Sequence, residues 1–204
     1  MMLSEVTAVP QAALPVAAFR EHLRLGMGFA DDGVQDGLVE GYLRAALAAV
    51  ERRTGKALIA REFRLVLEDW RGSGAQALPV APVGALVSVT LRDAGGAAVP
   101  LALAAFRLVE DLQRPELAAV SGCLPGVPAG GSVEVVFSAG FGPAWSDLPA
   151  DLAQAVLLLA AHYHENRHAA GGGAQAVPCG GLELVVGWRT LRTLGGGRAG
   201  ACRA

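Results

Sequence analysis

The stretch SVEVVFSAGFGPAWSDLPADLAQAVLLLAAHYHENRH, Ser132 to His168, changes its hydrophobic period midway, and that change decides the fold class. Over Ser132–Phe137 the β-branched and aromatic residues predict a strand. Beyond GFGPAWSD the period lengthens, and Leu148, Leu152, Val156, Leu159 and Tyr163 recur at helical spacing. Asp147 is the expected N-cap, Pro149 suits the first turn, and Asp151 suits the positive end of the helix dipole. Strand and long helix stand side by side in one segment, so the chain is read as α+β.

Working outward toward the N-terminus, the middle of the chain keeps the strand period. In AREFRLVLEDW, Phe63, Leu65 and Leu67 alternate with Arg64, Val66 and Glu68, which predicts a strand with one buried face. A strand around Leu86–Leu91, a hairpin turn at Asp93–Gly96 and a strand at Phe106–Glu110 follow the turn-rich break RGSGAQ. The proline- and glycine-bearing stretch before Ser132 reads as loop. Earlier still, the period is helical again. LPVAAFREHLRLG predicts a short helix stopped by Gly26. A longer helix follows, capped by Asp31 or Asp32, with an apolar stripe of Val34, Leu38, Tyr42, Ala45 and Ala49 widened by Val39, Leu43, Ala46 and Val50. Gly55 fits the left-handed position that ends it.

Toward the C-terminus, AAGGGAQA reads as a flexible linker. The amphipathic piece after it, Leu182 to Leu194, has nothing obvious left in the chain to cover it. The expected division is therefore an N-terminal helical part (1–58), a small antiparallel β insertion (59–138), a core helix (139–170), and a linker with an extended partner-binding tail (171–204).

Composition narrows the function classes. Over 204 residues, 52% are hydrophobic and 18% charged, enough for a buried core, and the net charge is −2. Lys56 is the only lysine. DNA coating depends on many neutralised phosphates, and no basic block is present to supply them. The longest largely apolar run, Leu152–Ala161, is about half of the ~20 residues that span a bilayer. With Glu5 near the start and no clean apolar segment there, no signal peptide is read, and the expected location is cytoplasmic. Cys123, Cys179 and Cys202 form no CxxC pair and are read as reduced thiols.

One string could carry chemistry. His164, Glu165 and His168 satisfy HExxH, the pattern that sets two metal-binding imidazoles on one helix face beside a general base. A zinc hydrolase is thus one alternative. It lacks a third ligand: no histidine follows His168, and the only acid beyond it is Glu183, across the glycine linker. The competing reading is a solvated polar helix end, and no metal or cofactor is expected. No GK[ST] or GxSxG occurs, and Trp70, Trp145 and Trp188 are too scattered for a stacking platform. A DNA-packaging accessory factor is a further alternative, opposed by the charge.

Four segments taken together resemble the head–tail connector (adaptor) proteins of tailed phages and gene transfer agents. They are EHLRL with Asp31–Asp32, AAVERRTGKAL (Ala48–Leu58), VVFSAGFGPAWSDLPADLAQAVLLLAAHYHENR (Val135–Arg167) and LELVVGWRTLR. Gly187 stands where that family's closing motif carries a proline. The resemblance implies a non-enzymatic virion protein with a helical core and a β insertion. It further implies a dodecameric ring between the portal protein and the stopper or tail-completion protein, with DNA only as cargo through the lumen. By residue type and position within the tail, Leu184, Val185, Trp188 and Arg189 are the expected portal contacts.

Overall fold

The computed structural model describes residues 1–23, 33–166 and 179–189. Among them the chain forms two compact units, one of residues 1–8 and 60–141, the other of 9–59 and 142–189.

The first unit is built of strands: β1 (Met2–Glu5), β2 (Arg61–Leu67), β3 (Ala75–Ala77), β4 (Val83–Arg92), β5 (Ala98–Pro100), β6 (Phe106–Val109), β7 (Glu116–Ala119) and β8 (Ser132–Ala139). Five of them form an antiparallel sheet in the order β1-β2-β8-β4-β5, and β3-β7-β6 form a second. β8 is central and bonds to β2 and β4 on either side, with Phe137 opposite Phe63 and Leu86. The alternation read in β2 is present: Phe63, Leu65 and Leu67 are buried and Arg64 is exposed. The Phe63 and Phe137 rings stack at 5.9 Å between centroids. Arg61 falls on the same buried face. Its guanidinium pairs with Glu5 at 2.8 Å and lies 4.8 Å above the Phe63 ring, which anchors β1 to the sheet.

Three short strands were not legible. β1 lies in a four-residue stretch with no pattern of its own, and its place depends on β2, far along the chain. β3 lies in the stretch read as a turn-rich break and β7 in the stretch read as loop. Strands of three or four residues carry too few alternations to register, and long-range pairing supplies what local pattern lacks. The buried Gln76 of β3 explains a polar residue there: its Oε1 accepts from the Arg71 N–H at 3.0 Å and its Nε2 donates to the Ala77 carbonyl at 2.8 Å. Cys123, expected as a reduced thiol, is disulfide-bonded. Pairing follows spatial proximity, which sequence spacing does not report.

The second unit is built of helices: α1 (Val16–His22), α2 (Gly33–Thr54), α3 (Ala150–Glu165) and α4 (Cys179–Val186). The expected stop at Gly26 and cap at Asp31 or Asp32 lie outside the described residues. α2 turns Val39, Leu43, Ala46, Leu47 and Val50 inward, whereas Leu38 is exposed. The buried stripe is therefore rotated from the one read first. The alanines of this helix make several faces apolar, and only packing against α3 and α1 chooses among them. Arg44 closes the helix against the chain before α1, bonding Glu40 at 2.7 Å and the Val9 carbonyl at 2.9 Å.

α2 ends as expected. Gly55 takes φ 70°, and its N–H donates to the Glu51 carbonyl at 2.8 Å. The Thr54 hydroxyl donates to the Val50 carbonyl and accepts the Lys56 N–H, while the Glu51 carboxylate accepts the Leu58 N–H at 2.7 Å. This turn buries Lys56, the only lysine, to 1% exposure. Amine acylation of the native protein should therefore leave Lys56 unmodified, and denaturant should expose it. Peptide mass spectrometry before and after unfolding reads the difference, and rapid native labelling of Lys56 would contradict the burial.

α3 begins two residues later than expected. Its N-cap is Pro149. Asp147 instead closes a 3-10 turn at Trp145–Asp147, its carboxylate accepting the Ala144 N–H at 2.9 Å. A side chain on Gly142 would meet the Asp147 carboxyl carbon at 2.6 Å, which accounts for glycine there. The apolar face runs as read, with Leu148, Leu152, Val156 and Leu159 buried. Among the described residues, no helix is long and apolar enough to cross a membrane.

Candidate assembly surfaces

The four residues expected to touch a portal protein lie on or just after α4, and the structure treats them unequally. α4 packs along α3, burying Val185. Leu184 is half-buried, and Arg189 is exposed. Trp188 is half-buried too. Its indole Nε1–H donates to Asp151 Oδ2 at 2.5 Å, while Asp151 Oδ1 accepts the Leu152 N–H at 2.9 Å. Asp151 thus does more than face a helix dipole. It clasps the segment that follows α4 to the first turn of α3. The chain does hold a cover for this part of the amphipathic piece, namely α3. The reading missed it because α3 presents apolar side chains to two neighbours, α2 and α4, and a one-stripe reading assigns only one. Residues beyond Arg189 lie outside the described part.

Of the HExxH string, His164 and Glu165 lie among the described residues. The His164 ring sits edge-on to Tyr42 of α2, with centroids 5.7 Å apart and planes at 87°. His162 Nδ1 lies 3.0 Å from Asn166 Nδ2, and Glu165 is exposed at the last residue of α3. His168 lies outside the described residues. Among the described residues, no group of three or more His, Cys, Asp or Glu is placed to hold a metal ion. His164 is engaged in helix packing.

Two further surfaces went unread. Met1, Met2, Leu3 and Val6 are all exposed along the outer edge of the five-stranded sheet, Val99 is exposed on the strand at its other edge, and Leu103 is exposed in the 3-10 turn that follows that strand. The signal was available in the run Met1–Leu3, apolar residues without a helical or strand partner nearby. Elsewhere charges cancel locally. Glu134 on β8 stands 3.6 Å from Arg64 and 3.4 Å from Arg92, one on each neighbouring strand. Trp70 is used structurally, donating its indole N–H to the Pro125 carbonyl at 2.7 Å.

No family model and no curated protein sequence matches the chain. Solved structures do. A chain from the neck of an empty gene transfer agent particle, computed with C6 symmetry, is 57% identical with a TM-score of 0.87, covering 96% of this chain and 99% of that one. A chain from the virion of a native gene transfer agent particle is likewise 57% identical, with a TM-score of 0.84 over the same shares. One from the neck of a native particle, computed with C12 symmetry, is 52% identical with a TM-score of 0.83, again over 96% and 99%. With more than half its residues identical over nearly its whole length, this chain belongs to the head–tail connector family of tailed phages and gene transfer agents.

Proposed function

We propose that this chain is a non-enzymatic structural subunit of a virion neck, the head–tail adaptor of a gene-transfer-agent-like particle. Twelve copies form a ring between the portal protein and the stopper or tail-completion protein, and DNA crosses its lumen as cargo. The protein is made in the cytoplasm and ends in the neck of the particle. The observation that carries this reading is the near-complete match to neck chains at 52–57% identity. The C12 symmetry of one of those necks suits the copy number. A net charge of −2, with Glu134 neutralising arginines on both sides, suits a wall past which DNA slides without being held. The engagement of His164 with Tyr42 favours packing over metal chemistry at the end of α3.

Native mass spectrometry of the purified chain, alone and with its portal protein, tests the reading. The expected result is a ring-sized complex once the portal is present. A chain that stays monomeric beside the portal protein overturns it.

A further inference from the structure

The five-stranded sheet ends on two strands whose outer edges differ. In an antiparallel pair, residues alternate between those whose backbone N–H and C=O face the partner and those that face away. The Val6 N–H donates to the Glu62 carbonyl at 2.8 Å, which by register puts Ser4 and Met2 in the inward set. The backbone groups of Leu3 and Glu5 therefore face outward. At the other edge the Leu101 N–H donates to the Val89 carbonyl at 2.8 Å and the Asp93 N–H to the Ala97 carbonyl at 3.1 Å. Val99 then bonds toward β4, and Ala98 and Pro100 face outward.

These edges are not managed alike. Pro100 has no N–H, so the β5 edge offers one outward donor, from Ala98, and such prolines blunt an edge against uncontrolled pairing. β1 holds neither proline nor lysine, and its one charge, Glu5, is tied to Arg61. Met1 and Met2 are more than half exposed, as is Val99 at the far edge. An open apolar strand edge is a template for another strand. Four strand spacings separate β1 from β5, about 19 Å. A closed ring needs two different patches on opposite sides of one subunit, whereas a twofold dimer uses one patch twice.

We infer that the β1 edge of one copy docks on the β5 edge of the next, with Met2 and Leu3 against Val99 and Leu103. The occupant is a second copy of this chain, and the sheet continues from subunit to subunit around the ring. This rests on the ring reading above.

Two variants test it, each at an exposed position where folding is retained: Leu3→Glu on one edge and Val99→Glu on the other. With the portal protein present, each variant alone should give at least tenfold less ring than the wild type. Mixed in equal amounts they should give a heterodimer that grows no further, because each still carries the edge the other needs. In the wild-type ring, the amides of Leu3, Glu5 and Ala98 should exchange at least tenfold more slowly than in the monomer. Normal rings from either variant, or unchanged exchange at those amides, overturn the inference and leave the ring reading standing. Rings lost in both variants with no heterodimer in the mixture also overturn it. A wild-type chain that forms no ring with the portal protein removes the reading and the inference together.

Discussion

Phe137→Ala is expected to lower the stability of the β unit by about 3–5 kcal/mol, the usual range for truncating a fully buried aromatic. Phe137 is 0% exposed and stands in the middle of β8, the strand that bonds to both β2 and β4. Its ring stacks on Phe63, so truncation removes the apolar transfer term, leaves a cavity, and strips one face from the partner ring. Net stability of a domain is only about 5–15 kcal/mol, so this single truncation removes a large fraction of the whole. Both sheet edges hang from this strand through one neighbour each, and loss of β8 order therefore disables β1 and β5 alike. Denaturant unfolding followed by circular dichroism checks the magnitude. Phe137→Leu, which keeps most of the volume, should lose less than about 1.5 kcal/mol. Phe63→Ala should behave like Phe137→Ala, and the double variant should fall short of the sum by about 0.5–1.5 kcal/mol, the coupling of a stacked pair. Simple additivity would mean that the two rings do not support one another.

The pair also shows why the centre of this fold was readable. β2 alternates over seven residues, and β8 buries Val133, Val135, Phe137 and Ala139 at every second position with Val136 buried as well, runs long enough for burial to be written into composition. α3 likewise carries Leu148, Leu152, Val156 and Leu159 at helical spacing, and they are buried as read. Where the reading slipped, local pattern underdetermines the answer. Alanines on α2 leave several faces equally apolar, so tertiary contact selected Val39, Leu43 and Leu47 and left Leu38 outside. Asp147 has the right chemistry for a helix cap, yet a 3-10 turn intervened and took its carboxylate for the Ala144 N–H. β1 is specified by residues about sixty positions away, and no local rule reaches that far. The C-terminal segment shows the same limit. The residue types of Leu184, Val185, Trp188 and Arg189 single it out as a candidate contact, but nothing in the sequence said that α3 would already hold part of it through Val185 and Asp151.

That prior engagement leads to the second large effect. Val185 cannot meet a portal protein while it is buried on α3, so portal contact through all four residues requires α4 to leave. Two variants should then release α4 with opposite consequences. Val185→Asp places a carboxylate in an apolar contact, a change costing several kcal/mol unless the helix undocks. Amides of 179–189 should lose protection in hydrogen exchange while α2 and the middle of α3 keep theirs. Asp151→Ala removes the acceptor of the Trp188 indole. A hydrogen bond to a charged group contributes about 1.5–3 kcal/mol when buried. Both partners here are partly exposed, so about 1 kcal/mol is the fair figure, or roughly fivefold more open α4. The tail's own residues are untouched in Asp151→Ala, so portal affinity should rise by about that factor as the cost of undocking falls. In Val185→Asp the released helix carries a charge where an apolar contact belongs, and portal affinity should drop more than about a hundredfold. Equal weakening by both variants, measured by titrating each against the portal protein, would mean instead that docked α4 is the form that binds. Contact would then fall to the exposed Arg189 and the half-buried Leu184 alone, with Trp188 held by Asp151 as a fixed support.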